Sequence, residues 1–239
     1  MKIAGIDNSL NSPAVTIFEL DEGNDCKILS KEYYNVICNK PKKKDPENYY
    51  KDKDNIITMR GYKDFYDRIG RKNRMITDLL TDCEYVAIED YSFSSVGNTY
   101  QIGENSGLLK YMLYIEGKAI RYYDPNSIKM YFNNKGNSTK YEMFERYMQL
   151  DNPLNFSEKL LTIGLEAIEK FKNTGKKKAF NPVEDIVDSY AICDLLYTEI
   201  LLRKGLIEMK SLREKQIQAF NTIHKDTKTN ILNTDFIRI

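Results

Sequence analysis

KIAGIDNSLNSPAVTIFEL, residues 2–20, decides how the chain begins to fold. KIAGID (2–7) and AVTIFEL (14–20) are short runs rich in apolar and β-branched residues. The polar NSLNSP between them supplies turn chemistry, so a two-stranded start is predicted, with Asp7 closing the first strand. Outward from this hairpin, a third strand is expected near 27–36. Later strands are expected at 84–88 (EYVAI), running into Glu89, and at 117–123 (GKAIRYY), stopped by Asp124-Pro125. Helical periodicity marks 62–80, about 104–115, 126–132, 139–149, 157–171 and a strong helix at 183–203. For the last, Asn181, Pro182 and Glu184 form an N-cap pattern. Strands come early and then alternate with helices, which predicts a three-layer α/β domain with a mixed sheet. Residues 39–56 are polar and charged without periodicity and read as a loop or insertion. SFSSVGNTYQIGENSG reads as a loop leading into the helix near 104. Residues 205–239 read as a polar extension or an added helix, outside a domain spanning 1–204.

The chain has 239 residues, enough for one α/β domain with a substantial core and short for two. Hydrophobic residues make up 41% and charged residues 30%, which excludes a collagen or a wholly disordered chain. No stretch has the run of apolar residues a membrane span needs, so no membrane partner is expected. Asp7 arrives before a signal-peptide core could form, and Cys26, Cys38, Cys83 and Cys193 make no CxxC pair. A cytoplasmic protein with free thiols is the expectation. The lone histidine, His224, removes most histidine-based triad and zinc chemistry, so acid–base or metal chemistry falls to carboxylates.

The formal net charge is only +1, but it is unevenly placed. Arg60 to Arg74 holds six basic and two acidic residues, Lys170 to Lys178 holds five basic residues and no acid, and Lys40 to Lys44 is a third basic knot. Acids gather at Glu89-Asp90 and at Glu184, Asp185 and Asp188. Basic patches beside isolated acids suit an enzyme acting on a polyanion; each patch taken singly also fits a solvated loop. Asp7 and Glu89 close two strands, and Asp185 and Asp188 share one face of a helix. Read alone, the helix pair also fits ordinary N-terminal acids near the positive end of the dipole. Together, and with no histidine to share the work, the four hard oxygen ligands point to Mg²⁺ or Mn²⁺. Two such ions per site can activate water and stabilise the leaving oxygen of a phosphodiester.

The ordered motifs resemble the RuvC-type Holliday-junction resolvases of the RNase H-like superfamily. GIDNSLNSPAVTIFEL (5–20) is similar to the family's first hairpin and VAIEDYSF (86–93) to its glutamate strand. GENSGLLKYML (103–113) resembles its dimer-contact helix, YYDPNSIKMYFNNKGNSTKYEMFERY (122–147) its basic middle segment, and EDIVDSYAICDLL (184–196) its final acidic helix. The resemblance covers about residues 1–200. It implies an RNase H-like three-layer fold with a mixed five-stranded sheet flanked by helices. It also implies an Mg²⁺-dependent homodimeric endodeoxyribonuclease of DNA recombination and repair, cutting four-way junctions by paired symmetric nicks. Asp7, Glu89, Asp185 and Asp188 would be the catalytic, metal-binding acids. Lys129 and Lys140 would contact phosphates, and Tyr91 or Phe93 would offer a ring to a base, a place in the core being the alternative for either. Arg71, Lys72 and Arg74 on the 62–80 helix, with Lys176, Lys177 and Lys178, would hold the DNA backbone. Two departures stand out: Asn8-Ser9 where the family has a glycine soon after its first Asp, and Ser189 where it has alanine. The asparagine- and lysine-rich composition suggests a viral or phage member or an AT-rich bacterium. Alternatives are a broader branched-DNA, flap or RNA–DNA hybrid nuclease, or a non-catalytic DNA-binding protein on the same fold. An actin-like ATPase would need glycine-rich phosphate loops that the 12 glycines do not form.

Overall fold

A computed structural model describes residues 1–23, 25–39, 49–90, 99–223 and 228–238. Tyr91, Phe93, His224 and the basic knot at 40–44 lie outside the described residues. The expected hairpin is β1 (Lys2–Asp7) and β2 (Ala14–Leu20), followed by β3 (Ile28–Cys38), β4 (Tyr49–Lys51) and β5 (Ile56–Met59). Then come α1 (Phe65–Leu79), β6 (Cys83–Glu89), α2 (Thr99–Ile115), β7 (Ala119–Tyr123), α3 (Pro125–Asn133), α4 (Lys140–Tyr147), α5 (Glu158–Thr174), α6 (Val183–Arg203) and α7 (Glu214–Asn221). No helix among the described residues is long and apolar enough to cross a membrane.

One seven-stranded sheet runs β4-β5-β3-β2-β1-β6-β7. β2 is antiparallel to both β1 and β3, and β6 and β7 continue parallel to β1. The inner five strands, in the order 3-2-1-6-7 with β2 reversed, have the RNase H-like topology. The expectation of five strands is corrected by β4 and β5. β4 falls inside the stretch read as a loop, β5 starts at its last residue, and the two add to the free edge of β3. Ile57 and Met59 close a small core with Val36 and Cys38 there. The Asp52 carboxylate accepts from the Asp54 and Ile56 amides and fixes the turn that feeds β5. α2 also begins earlier than expected, at Thr99.

Strand alternation sorts β1 between two cores. Ala4 and Ile6 join Ile76, Leu80, Leu109 and Leu113 of the α1–α2 side, or their immediate surroundings, in one cluster. Ile3 faces the larger cluster built from α3 to α7, which includes Phe18, Tyr123, Phe144 and Ile186. Gly5 is also on the α6 side, and a β-carbon there would lie 2.3 Å from the Cys193 nitrogen and 2.5 Å from the Ser189 oxygen. Only the missing side chain lets α6 lie this close to β1. The Ser189 hydroxyl, placed where the family resemblance leads one to expect alanine, sits 2.8 Å from the Thr16 hydroxyl on β2 and donates to the Ile186 carbonyl at 2.8 Å.

The described residues of the 205–239 segment pack onto the same body. Ala219, Phe220 and Ile231 enter the main core. Ile237 pairs with Ile120 on β7, with reciprocal hydrogen bonds of 2.9 and 3.0 Å. Beside it, fully buried Glu199 accepts from Arg121 at 2.7 Å, Arg203 at 2.7 Å and Tyr123 at 2.6 Å, and both arginines reach on to the Thr234 carbonyl.

Candidate active site

Three elements deliver the four acids to one cleft. β1 and β6 pair in register through Gly5–Ala87 and Ile6–Ile88. One residue further, Asp7 and Glu89 end adjacent parallel strands on the face that carries α6. From Gly5 to Asp7 is two strand residues, roughly 6.6 Å. From Ser189 back to Asp185 is one helical turn, about 6 Å of rise. The tight Gly5–Ser189 contact therefore sets Asp7 opposite the first turns of α6, where Asp185 and Asp188 stand. Together with Lys129 and Lys140 these acids line an open cleft of about 200 Å³.

The carboxylates crowd one another. Burial pushes the Asp7 carboxyl well above its ordinary pKa, and Asp185, Asp188 and Glu89 push it the same way. Burial raises Asp188 to about 7, against the opposing pull of Lys140. Glu89 and Asp185 are also raised by burial, and the nearby lysine charges oppose this. One Asp185 oxygen meets Lys140 at 3.3 Å, and the other has no hydrogen-bond partner although the residue is only 3% exposed. Such a set is electrostatically short of cations, and its oxygens are the hard donors that Mg²⁺ or Mn²⁺ prefers. Among the described residues, no three such side chains are already gathered tightly enough to hold an ion as they stand.

Lys140 is the cleft's own counter-charge. A Thr139–Glu142 capping box fixes the start of α4 and so the point from which Lys140 leaves it. Its ammonium lies 3.3 Å from Asp185, 3.4 Å from Glu184 and 3.9 Å from Asp188. Burial alone would lower its pKa, but Asp188, Asp185, Asp7 and Glu184 outweigh that and raise it. The expected Asn181 cap is not formed. Pro182 occupies the cap position of α6 without a side-chain cap bond, and the Glu184 carboxylate meets both Lys140 and the Phe180 backbone.

The turn after Asp7 is gripped at every carbonyl from 8 to 13. Asn105 donates to Asn8, Lys72 to Ser9 at 3.0 Å and Leu10 at 3.5 Å, the Cys38 amide to Asn11, and Asn35 to Ser12 and Pro13. Ser12, held there, helps lower Asp185 against the effect of burial. Lys72 thus departs from the expected DNA-facing role. It is fully buried, burial lowers it to about 7, and its ammonium is committed to backbone oxygens. Arg71 bonds the Arg60 and Gly61 carbonyls, and with Arg74 it lines a groove between α1 and α2 rather than the acidic cleft. Lys177 and Lys178 do approach the site. With Lys129, Lys140, Ser138, Thr139 and Glu184 they line a groove of about 400 Å³ adjoining the cleft. Lys176 is exposed on the same loop.

Sequence reading missed Lys72, Asn73 and Asn105 as internal braces. A signal was present: Ile69, Lys72, Asn73, Ile76 and Leu80 fall on one helical stripe, so the period itself placed Lys72 and Asn73 inward.

Neither a protein-family model nor a curated protein matches the sequence. Among solved structures, the fold is similar to that of Thermus thermophilus RuvC, at 18% identity over 86% of this chain and 98% of that one, with a TM-score of 0.46. It is similar to T. thermophilus RuvC in complex with Holliday junction substrate at 17% identity over 86% and 98%, with a TM-score of 0.43. It is similar also to the Fowlpox virus resolvase solved with substrate Holliday junction DNA, at 14% identity over 82% and 98%, with a TM-score of 0.38. At these identities the likeness is one of fold alone.

Proposed function

We propose that the chain is a divalent-metal-dependent endodeoxyribonuclease that resolves four-way DNA junctions by paired nicks. The observation that carries the reading is the convergence of Asp7, Glu89, Asp185 and Asp188 with Lys129 and Lys140 in one open cleft. The choice of a junction as substrate rests on the ordered motifs of the sequence. Two Mg²⁺ ions, or Mn²⁺ in their place, would be held by the four acids and would supply Lewis-acid stabilisation and an activated water. The protein's own part is positional. The gripped 8–13 turn and the Gly5–α6 contact preorganise the acids, and Lys129 and Lys140 attract the phosphate. Lys177 and Lys178, with Lys176 beside them, lead the strand along the adjoining groove.

Paired nicking calls for two copies. The α2 face suits that contact: Tyr100 is 89% exposed, Tyr111 62% and Ile115 55%, beside the α1–α2 groove.

The test is a nicking assay on a synthetic four-way junction, with and without Mg²⁺, against linear duplex, flap and RNA–DNA hybrid of matched sequence. Paired nicks confined to the junction are expected, and Asp7→Asn should abolish them while leaving junction binding intact. An Asp7→Asn protein that cuts at the wild-type rate would remove the assignment.

A further inference from the structure

We propose that Glu184 is a positioning residue that takes over the Lys140 ammonium when divalent cations enter the acidic cleft, so that Lys140 does not compete with them for Asp185 and Asp188. The inference rests on the metal-dependent reading above and extends it to a residue outside the four acids.

The geometry offers one ammonium to carboxylates on two sides of a wall. Asp185 and Asp188 line the acidic cleft, Glu184 lines the adjoining basic groove, and Lys140 lines both. The ammonium is held almost equally by Asp185 at 3.3 Å and Glu184 at 3.4 Å, with Asp188 further off at 3.9 Å. Adjacent positions on a helix point about 100° apart, so the two carboxylates pull Lys140 in different directions. The Lys140 side chain is 47% exposed, so it can pivot between them without repacking the core. Glu184 is only 9% exposed, and Lys140 is its one ion-pair partner among the described residues. Its carboxylate also accepts a hydrogen bond from the Phe180 backbone, just ahead of α6, which anchors it on the groove side of Lys140. A buried carboxylate anchored this way, outside the cleft, presents a fixed counter-charge to the lysine.

Cations drawn to Asp185 and Asp188 would repel an ammonium resting against the same oxygens. With Glu184 present, the lysine keeps a full counter-charge while giving up the cleft, and it is retained at the groove where a phosphate would pass. Without Glu184, its remaining partners in the structure are the acids the cations need.

The experiment is a titration of the full chain with Mn²⁺ alone, in the absence of DNA, following free Mn²⁺ by its electron paramagnetic resonance signal. Wild type, Glu184→Gln, Lys140→Met and the double variant form a cycle. Glu184→Gln should weaken Mn²⁺ binding about 10-fold when Lys140 is present and less than about 2-fold when it is Met. Glu184→Asp keeps the charge but shortens the reach, and it should fall between wild type and Gln. Equal weakening by Glu184→Gln in both backgrounds would overturn the inference, because Glu184 would then act by its own charge. Mn²⁺ binding that Asp7→Asn abolishes, but that shows no Glu184–Lys140 coupling, would sink this inference and leave the functional reading standing. Absence of Mn²⁺ binding by the wild type would sink both.

Discussion

Gly5→Ala is the sharpest test of how the site is built. The added carbon would lie 2.3 Å from the Cys193 nitrogen and 2.5 Å from the Ser189 oxygen, where comfortable contacts begin near about 3.5 Å. Both neighbours are backbone atoms of α6, so no side chain can rotate away. Relief requires α6 to retreat from β1 by roughly 1 Å. Overpacking of this kind costs about 1–3 kcal/mol, and the stiffer unfolded chain returns about 0.4–1 kcal/mol. A net loss of about 2 kcal/mol corresponds to a fall in Tm of roughly 4–8 °C for a domain of this size. The same 1 Å separates Asp7 from Asp185 and Asp188, and misplacement on that scale can cost about 100-fold in rate. Differential scanning calorimetry and junction nicking on the same preparation measure both. A variant with Tm within 1 °C of wild type and nicking within about 2-fold would refute the claim that this contact sets the site.

Two further outcomes follow from the electrostatics. Asp188 is raised to about 7 in the fold against about 3.9 in an unfolded chain, so the native state holds the extra proton between those values. Stability of the metal-free protein should therefore be greatest at the acid end of that window and fall as pH rises toward 7, and Asp188→Asn should flatten the fall in Tm between pH 5 and 7. Lys177→Ala and Lys178→Ala should each reduce the slope of log binding constant against log salt by about 0.9, whereas Lys72→Met should lower Tm and leave that slope unchanged. A changed salt slope in Lys72→Met would return it to the DNA-binding surface.

Much of this architecture is legible because it is local. The alternation in KIAGID and AVTIFEL, the stop at Asp124-Pro125 and the long period of α6 each specify an element without help from elsewhere. β5 was hidden because four residues, Ile56–Met59, become a strand only through the edge of β3 that they join. Charge alone puts Lys72 on the surface, whereas its place in the Ile69–Ile76 helical stripe puts it inside. Its burial is tolerable only because two turn carbonyls, 63 and 62 residues earlier in the chain, meet it. The four acids could be picked out as strand-end and helix-end residues. Glu184 could not, since its meaning depends on where Lys140 arrives from α4.

The pairing of Ile237 with Ile120 has a consequence for assembly. β7 is the last strand on its side of the sheet, and an unpaired last strand is a template for any other chain with a free strand to offer. Here residues 231–237 lie across that side, locked by Arg121 and Arg203, and the opposite side ends in the three-residue β4. Among the described residues, sheet-to-sheet growth is discouraged at both borders, which leaves the helix faces for any contact between copies. Detaching the 231–237 segment would open β7 to continuous intermolecular ladders, and solubility would then depend on a stretch that takes no part in the chemistry.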